Sequence, residues 1–172
     1  MKNSNTKEKI LEVLFDFPTK EFYLRELSRI TQISPNSISK AISELKKDNL
    51  IITNKTITLN LKANLDNDKF KNLKRVSNLN KIYSSGLFSY LKENFPLSAI
   101  ILFGSYSKGE DAEKSDIDIA ILDIKEKKIE LENYEKILNR KVNIDFINMK
   151  NITKELRNSV INGIPLQGYI QI

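Results

Sequence analysis

The sequence predicts an α+β protein in which a helical module precedes a module of alternating strands and helices. Charge is divided unevenly: residues 1–82 carry 16 Lys and Arg against 9 Asp and Glu, whereas residues 83–172 carry 12 against 13. Apolar residues recur at helical spacing up to residue 48, and short apolar runs typical of strands follow residue 98. The polar break Asn64-Leu65-Asp66-Asn67-Asp68 separates them. We therefore predict a first domain over 1–62, a helical linker over 63–85 and a second domain over 86–172.

The first module is predicted to hold three helices. Asn5 and Glu8 have the spacing of a capping box at the start of the first helix, and Pro18 ends it. A short second helix follows around Leu24–Ile30, and the third, about 35–48, starts after the cap Ser34. The apolar positions of the third helix share one face and are expected to be buried: Ile38, Ala41, Ile42 and Leu45.

A hairpin is predicted after the third helix, with strands over 50–53 and 56–59 around a turn at Asn54-Lys55. This order resembles the winged helix-turn-helix regulators of archaea and bacteria, and the resemblance implies that the third helix faces duplex DNA. The polar residues expected at DNA are Asn36, Ser37, Ser39, Lys40 and Ser43 of that helix and Lys55 of the wing. The alternative is that the module docks on a protein.

The second module is predicted to contain helices and short apolar strands. The linker continues as a helical stretch over 69–94 that is interrupted near Ser84-Ser85-Gly86. Strands are expected over 99–103, 117–123 and 142–148, with helices over about 128–139 and 151–162 and a loop with a short helix over 104–114. The apolar tail from Ile164 to Ile170 is expected to pack on the sheet or to form a dimer contact.

The segment 101–118 carries the chemistry. An apolar run ends in Gly104-Ser105, and Asp116 and Asp118 open the next run, so the period of a strand puts both carboxylates on one face. Two such charges about 4 Å apart repel by roughly 4 kcal/mol at a partly exposed site, which a hard cation such as Mg²⁺ relieves. A glycine lets a phosphate approach the backbone, and Ser105 adds a hydroxyl and an amide donor. Each motif alone is usually a turn or a solvated strand edge; together they favour phosphoryl or nucleotidyl transfer.

A third carboxylate is expected on a neighbouring strand, because two-metal sites need more than two ligands. Asp145 lies in the middle of the alternating segment Val142–Ile147 and is the candidate. The alternative is that Asp145 only pairs with Lys141 or Arg140 on the strand surface.

These residues resemble the minimal nucleotidyltransferases of the DNA polymerase β superfamily, whose antitoxin-type members are often encoded beside HEPN-domain toxins. The resemblance implies a polymerase-β-like core with a small mixed sheet. It implies that Asp116 and Asp118 hold two Mg²⁺ ions and that Asp145 helps bind the metal that activates the attacking hydroxyl. Gly104 and Ser105 would hold the triphosphate of an NTP donor. Lys108 stands where relatives often carry Arg, and it meets phosphate as a point charge.

Composition narrows the chemistry further. The chain has no cysteine and no histidine, which excludes disulfides, thiolate catalysis, Cys-ligated zinc and His-based acid–base catalysis. No stretch approaches a signal peptide or a membrane span, so we expect a cytoplasmic protein without a membrane partner.

The sequence and this resemblance predict a Mg²⁺-dependent nucleotidyltransferase that passes an NMP to a hydroxyl of a protein or of a small molecule. The resemblance implies AMP from ATP as the transferred group and a protein partner as the acceptor. By the resemblance, that partner is a HEPN-type toxin, and the winged helix binds duplex DNA. A homodimer is compatible with the sequence. The alternative is a DNA-binding transcriptional regulator whose nucleotidyltransferase-like half only senses nucleotide or mediates association.

Overall fold

Helices and two small sheets form an α+β fold in the computed structural model, which describes residues 6–55 and 59–170. The chain divides into two units, Met1–Lys74 and Arg75–Ile172. This division falls within one helix, and the domain bounds 1–62, 63–85 and 86–172 stay a prediction. No helix in the described ranges is long and apolar enough to cross a membrane.

The first unit contains three helices and a three-stranded antiparallel sheet. Its elements are α1 (Thr6–Asp16), β1 (Phe22–Tyr23), α2 (Leu24–Thr31), α3 (Pro35–Lys47), β2 (Ile51–Lys55) and β3 (Leu59–Ala63), and the strand order is β1-β3-β2. The core joins all three helices through Leu14, Leu27 and Leu45. The apolar face predicted for α3 is buried as expected: Ile38, Ala41, Ile42 and Leu45.

Local chemistry fixes where α3 begins. Ser34 has extended backbone, and its hydroxyl accepts a hydrogen bond from the Ser37 amide at 3.3 Å, as the sequence predicts for an N-cap. Gln32 takes the left-handed conformation, with φ 56°, in the turn between α2 and α3. The capping residue predicted for α1, Asn5, lies outside the described residues.

The hairpin prediction was wrong about the turn. Asn54 and Lys55 belong to β2, where they pair with Asn60 and Leu59, so the reversal comes later than Asn54-Lys55. Residues 56–58, which were expected to open the second strand, lie outside the described residues, as does the side chain of Lys55. The ladder rather than local turn propensity sets this register, since each added pair keeps backbone groups bonded.

The second unit is built on a four-stranded mixed sheet. Its elements, with α4 shared between the units, are α4 (Asp68–Ser84), α5 (Leu87–Asn94), β4 (Ile100–Phe103), α6 (Gly104–Lys108), β5 (Ile117–Leu122), α7 (Glu132–Leu138), β6 (Val142–Ile147), α8 (Lys154–Ile161) and β7 (Ile164–Gln167). The strand order is β6-β5-β4-β7, in which β5 and β6 run parallel and β4 runs antiparallel to β5 and β7.

Alternation along β5 separates the two faces of this sheet. Ile117, Ile119 and Ile121 belong to a core cluster with residues of α4 and α5. Ala120 and Leu122 belong to a second cluster on the opposite face, with Val160 of α8. Asp118 shares that second face at the beginning of β5, so the candidate chemistry lies at the edge of a buried patch.

The C-terminal apolar tail packs on the sheet as β7, which was not predicted as a strand. Leu166 is buried, and the Gln167 side chain donates to the carbonyls of Phe95, Pro96 and Ser98 at 2.9, 3.3 and 2.9 Å. The helix expected over 128–139 is shorter, because α7 begins only at Glu132. The short strand β1 was not predicted either, since two residues carry no readable alternation.

Candidate active site

Gly104 of the Gly-Ser motif lies so close to the Asp118 carboxylate that no larger residue fits in its place. Gly104 follows β4 and opens α6 with φ +73°, in the left-handed region that favours glycine. A Cβ at this position would overlap Asp118 Oδ2 and lie 3.3 Å from Asp118 Cγ. The antiparallel pairing of Phe103 with Asp118 produces this approach. The turn after β4 and the start of β5 therefore form one site.

Asp116 and Asp118 meet a common partner on the neighbouring strand. The Asn143 side-chain amide donates to Asp118 Oδ1 at 3.1 Å and to Asp116 Oδ2 at 3.3 Å. Asp116 precedes β5 and Asp118 is its second residue, and both are half-buried. The two carboxylates thus lie on one side, in agreement with the alternation argument. Sequence reasoning missed Asn143, although it stands two residues before Asp145 on the same strand face.

Asp145 lies two residues after Asn143 on β6, opposite Ala120 of β5. Its side chain is exposed at the edge strand, yet its pKa is raised, first because neighbouring atoms remove part of its hydration and second because Asp118 is negative. Arg140, one of the two partners that the surface-pairing alternative named, pairs with Asp111.

The donors at this site are hard oxygens, the ligand type that Mg²⁺ prefers. Gly104 lets the Asp118 carboxylate lie directly against the turn after β4. Partial burial and the negative charge of Asp118 raise the pKa of Asp145, so a cation bound between these carboxylates would relieve their repulsion. The residues present therefore fit a divalent cation. In residues 6–55 and 59–170, no three acidic side chains are gathered at metal-binding distance, and the Asn143 amide lies between Asp116 and Asp118 instead.

Comparison with known proteins gives a family match within the second unit. Residues 85–168 match the family described as Polymerase beta, Nucleotidyltransferase. A relative from Methanocaldococcus jannaschii, named "Putative protein adenylyltransferase MJ1215", is 48% identical over an alignment of 59 residues, and the match covers 31% of this chain and 69% of the relative. The chain belongs to the polymerase-β nucleotidyltransferase family. No solved structure matches it significantly.

The protein is a nucleotidyltransferase, and its family implies an NTP donor. The matched segment contains every residue of the Gly-Ser and Asp-x-Asp motifs and also Asn143 and Asp145. The first unit up to Lys74 lies outside it.

The loop between the two motifs of this nucleotidyltransferase is held by a buried ion pair. Arg140 Nη2 lies 3.1 Å from Asp111 Oδ2, with side chains 9% and 0% exposed. Asn78 of α4 donates to the other carboxylate oxygen of Asp111 at 2.7 Å and to the Tyr106 carbonyl at 2.9 Å. Sequence reasoning missed this network, because its three side chains come from a helix, a loop and a strand entry far apart in the chain.

Lys108 and Ser105 occupy the two ends of the short helix α6. Ser105 is half-buried next to Gly104, and Lys108 is exposed before Gly109, which ends the helix with φ +72°. The hydroxyl of Ser107 donates to the Gly104 carbonyl at 2.8 Å, which fixes the first turn. This bond lies directly beside the close approach of Gly104 to Asp118.

The polar residues of α3 that were expected at DNA share one exposed face. They line an open concavity of about 600 Å³: Asn36, Ser37, Ser39, Lys40 and Ser43. Two of their hydroxyls already bond locally, since Ser34 donates to Ser37 at 3.0 Å and Ser43 donates to the Ser39 carbonyl at 3.1 Å. Asn36 and Lys40 have the longest polar side chains on this face and are the first candidates for contact with a ligand.

Proposed function

We propose that this nucleotidyltransferase transfers AMP from ATP to a hydroxyl of a protein, with Mg²⁺ as its metal. The observation that carries the proposal is the contact between Gly104 and the Asp118 carboxylate, because it joins a phosphate-sized turn to a pair of acidic ligands. The relative named as a protein adenylyltransferase supports the choice of nucleotide and acceptor.

In the proposed mechanism, the acceptor oxygen attacks the α-phosphorus, the bond to the bridging oxygen of the β-phosphate breaks, and pyrophosphate leaves. Gly104 and Ser105 bind the triphosphate, and Lys108 adds a positive charge beside it. Asp116 and Asp118 would hold Mg²⁺, which would supply positive charge opposite the developing charge on the phosphates. Asp145 would orient the attacking hydroxyl and take its proton, with help from the metal.

The proposed acceptor is a tyrosine of a HEPN-type toxin. This choice rests on the resemblance of the Gly-Ser and Asp-x-Asp motifs to the antitoxin-type members of the family and on the name of the relative. A protein hydroxyl needs no further cofactor, since the donor triphosphate supplies the energy of transfer.

The test is transfer of label from each of four α-³²P NTPs to a purified HEPN-domain protein, with and without Mg²⁺. We expect label from ATP only, dependent on Mg²⁺, lost with Asp116→Asn and absent when the acceptor tyrosines are changed to Phe. Nucleotide binding without transfer to any acceptor would instead support the regulator alternative, in which the second unit only senses nucleotide or mediates association.

A second function, binding of duplex DNA, is proposed for the first unit as a winged helix-turn-helix. It is supported by the α2–turn–α3 arrangement, by the β2–β3 hairpin and by the exposed polar face of α3 with Lys40 in it. The excess of 16 basic over 9 acidic residues in 1–82 supports an anionic partner. Without such binding, the same face would be a protein-docking surface.

A further inference from the structure

We propose that Arg140 is a positioning residue for nucleotidyl transfer, which sets the place of Asp116 relative to the Gly104-Ser105 turn. Asp111 and Asn78 hold the Arg140 side chain in the orientation that this requires. The proposal rests on the proposed function of Asp116, and its experiment separates the two.

Asp116 is held through both of its neighbours in the chain. Arg140 Nη1 donates to the carbonyls of Ala112 and Ser115, the latter at 2.9 Å, and Ser115 directly precedes Asp116. The amide of Ile117, which directly follows Asp116, donates to the Lys141 carbonyl at 2.9 Å. Both neighbours of Asp116 are thus bound to consecutive residues, Arg140 and Lys141, at the entry of β6.

The same guanidinium is also linked to α6, the helix that begins at Gly104. Arg140 pairs with Asp111 at 3.1 Å, and Asn78 links Asp111 to the Tyr106 carbonyl through bonds of 2.7 and 2.9 Å. The Arg140 guanidinium also lies over the Tyr106 ring, 5.6 Å from its centroid. Tyr106 directly follows Ser105 in α6. The Arg140 guanidinium therefore connects α6 with the loop that ends at Ser115, just before Asp116.

Stability alone does not account for this arrangement. A buried ion pair loses the hydration of both charges, and apolar side chains of similar volume often stabilise a fold as well or better. Arginine, in contrast, offers several donors in a rigid plane, so one side chain serves a carboxylate and two carbonyls at once. A lysine ammonium keeps the charge but loses this geometry. The network is therefore suited to fixing distances across the active site.

The experiment measures binding of Mg²⁺ and the ATP analogue α,β-methylene-ATP to the full chain by calorimetry. We expect Arg140→Lys and Asp111→Asn each to weaken Mg²⁺-dependent binding by tenfold or more. The matched control is Arg157→Lys. Arg157 lies on α8, is partly buried and also donates to a backbone carbonyl, that of Met149, at 2.7 Å. We expect Arg157→Lys to lower the melting temperature without changing Mg²⁺-dependent affinity.

Chemical rescue separates positioning from stability when affinity is measured at a temperature at which Arg140→Ala is fully folded, because loss of fold then cannot account for lost affinity. Arg140→Ala leaves a guanidinium-sized space, and millimolar methylguanidinium is expected to restore most of the lost Mg²⁺-dependent affinity, whereas methylammonium is not. If Arg140→Lys folds and binds Mg²⁺ and the analogue like the wild type, the positioning proposal is overturned. If Arg140→Lys does not fold, folded Asp111→Asn with unchanged affinity overturns it equally. Unchanged binding in Asp116→Asn would instead overturn the proposed function, and the positioning proposal with it.

Discussion

Asp116 and Asp118 contact the same Asn143 amide, so each carboxylate can be replaced by an amide of the same shape. We predict that Asp116→Asn or Asp118→Asn lowers the affinity for Mg²⁺–ATP by more than tenfold, about 1.4 kcal/mol or more, because each removes one charge opposite a dication. The measurement is calorimetry with and without Mg²⁺. Asp123→Asn is the control, since Asp123 follows the far end of β5 with φ +55°, a conformation that Asn tolerates. Metal-independent binding that survives Asp116→Asn would falsify the metal site.

Gly104 and Gly86 allow the effect of a Cβ to be separated from backbone strain. Both have positive φ, +73° and +81°, but a Cβ at Gly86 would only contact Tyr134 Cε1 at 3.8 Å, whereas one at Gly104 would overlap Asp118. We predict that both changes to Ala destabilise the fold by about 1 kcal/mol or more. Only Gly104→Ala should also weaken Mg²⁺–ATP binding. Urea unfolding and calorimetry together give the two quantities, and equal nucleotide affinity in both variants would contradict the close approach.

Asn143 places a neutral amide 3.1 Å from Asp118 and 3.3 Å from Asp116. We predict that Asn143→Asp lowers the melting temperature in EDTA, because a third carboxylate there repels its neighbours by up to about 4 kcal/mol at a partly exposed site. Mg²⁺ should then raise the melting temperature of this variant more than that of the wild type. Asn139→Asp, on an exposed residue after α7, is the control. A Mg²⁺ shift no larger than that of the wild type would mean that residue 143 is out of reach of the metal.

At the scale of single elements, the N-cap of α3 offers a test of the first unit. The Ser34 hydroxyl accepts from the Ser37 amide, so Ser34→Ala leaves a helix amide without its partner. We predict a loss of about 0.5–2 kcal/mol in the free energy of unfolding, measured with urea. Ser39→Ala, in the exposed middle of the same helix, should cost nothing, because Ala is the better helix former. Equal losses in the two variants would show that the cap is unimportant.

Sequence periodicity predicted those elements that bury a regular face. The apolar spacing of α3 and the alternation of β5 and β6 gave the right element types, and Gly86 marked the break between α4 and α5. β1 and β7 escaped prediction, because a strand of two residues and a strand that contains Pro165 carry little local signal. The hairpin turn was wrongly predicted at Asn54-Lys55, because pairing across the ladder keeps both residues in β2.

The site was predictable only as far as it is local in sequence. The Gly-Ser and Asp-x-Asp motifs lie within one segment, and their spacing pointed to nucleotidyl transfer. Asn143 and Arg140 reach the site because β6 runs parallel beside β5, a pairing that no local pattern reports. Asn78 of α4 is linked to the site through its bond to Asp111, a residue that lies far from it in the sequence. A parallel register of Asp118 with Asn143 would have revealed Asn143, had the strand order been known.

At the scale of the whole molecule, the uneven charge bears on the DNA binding proposed for the first unit. The excess of basic residues lies in 1–82, whereas the segment that matches the nucleotidyltransferase family is nearly neutral. A basic surface attracts polyanions over a distance of about 8 Å at physiological salt, and it does so without any base-specific contact. The charge therefore supports affinity for DNA, while any preference for sequence has to come from side chains such as Asn36 and Lys40 on α3.

We predict that the full chain binds duplex DNA with an affinity that falls steeply with salt. If about four phosphates are neutralised, the slope of log K against log salt should be near −3.6, taking about 0.9 per phosphate. Lys40→Glu should weaken binding and flatten the slope, because Lys40 lies in the exposed polar face of α3. Lys128→Glu makes the same change in net charge on an exposed residue of the second unit and should have little effect. Fluorescence anisotropy with a labelled duplex gives both quantities.

Equal weakening by the two variants would point to net charge rather than to α3. Salt-independent binding, or no binding at low salt, would make the first unit a protein-docking element.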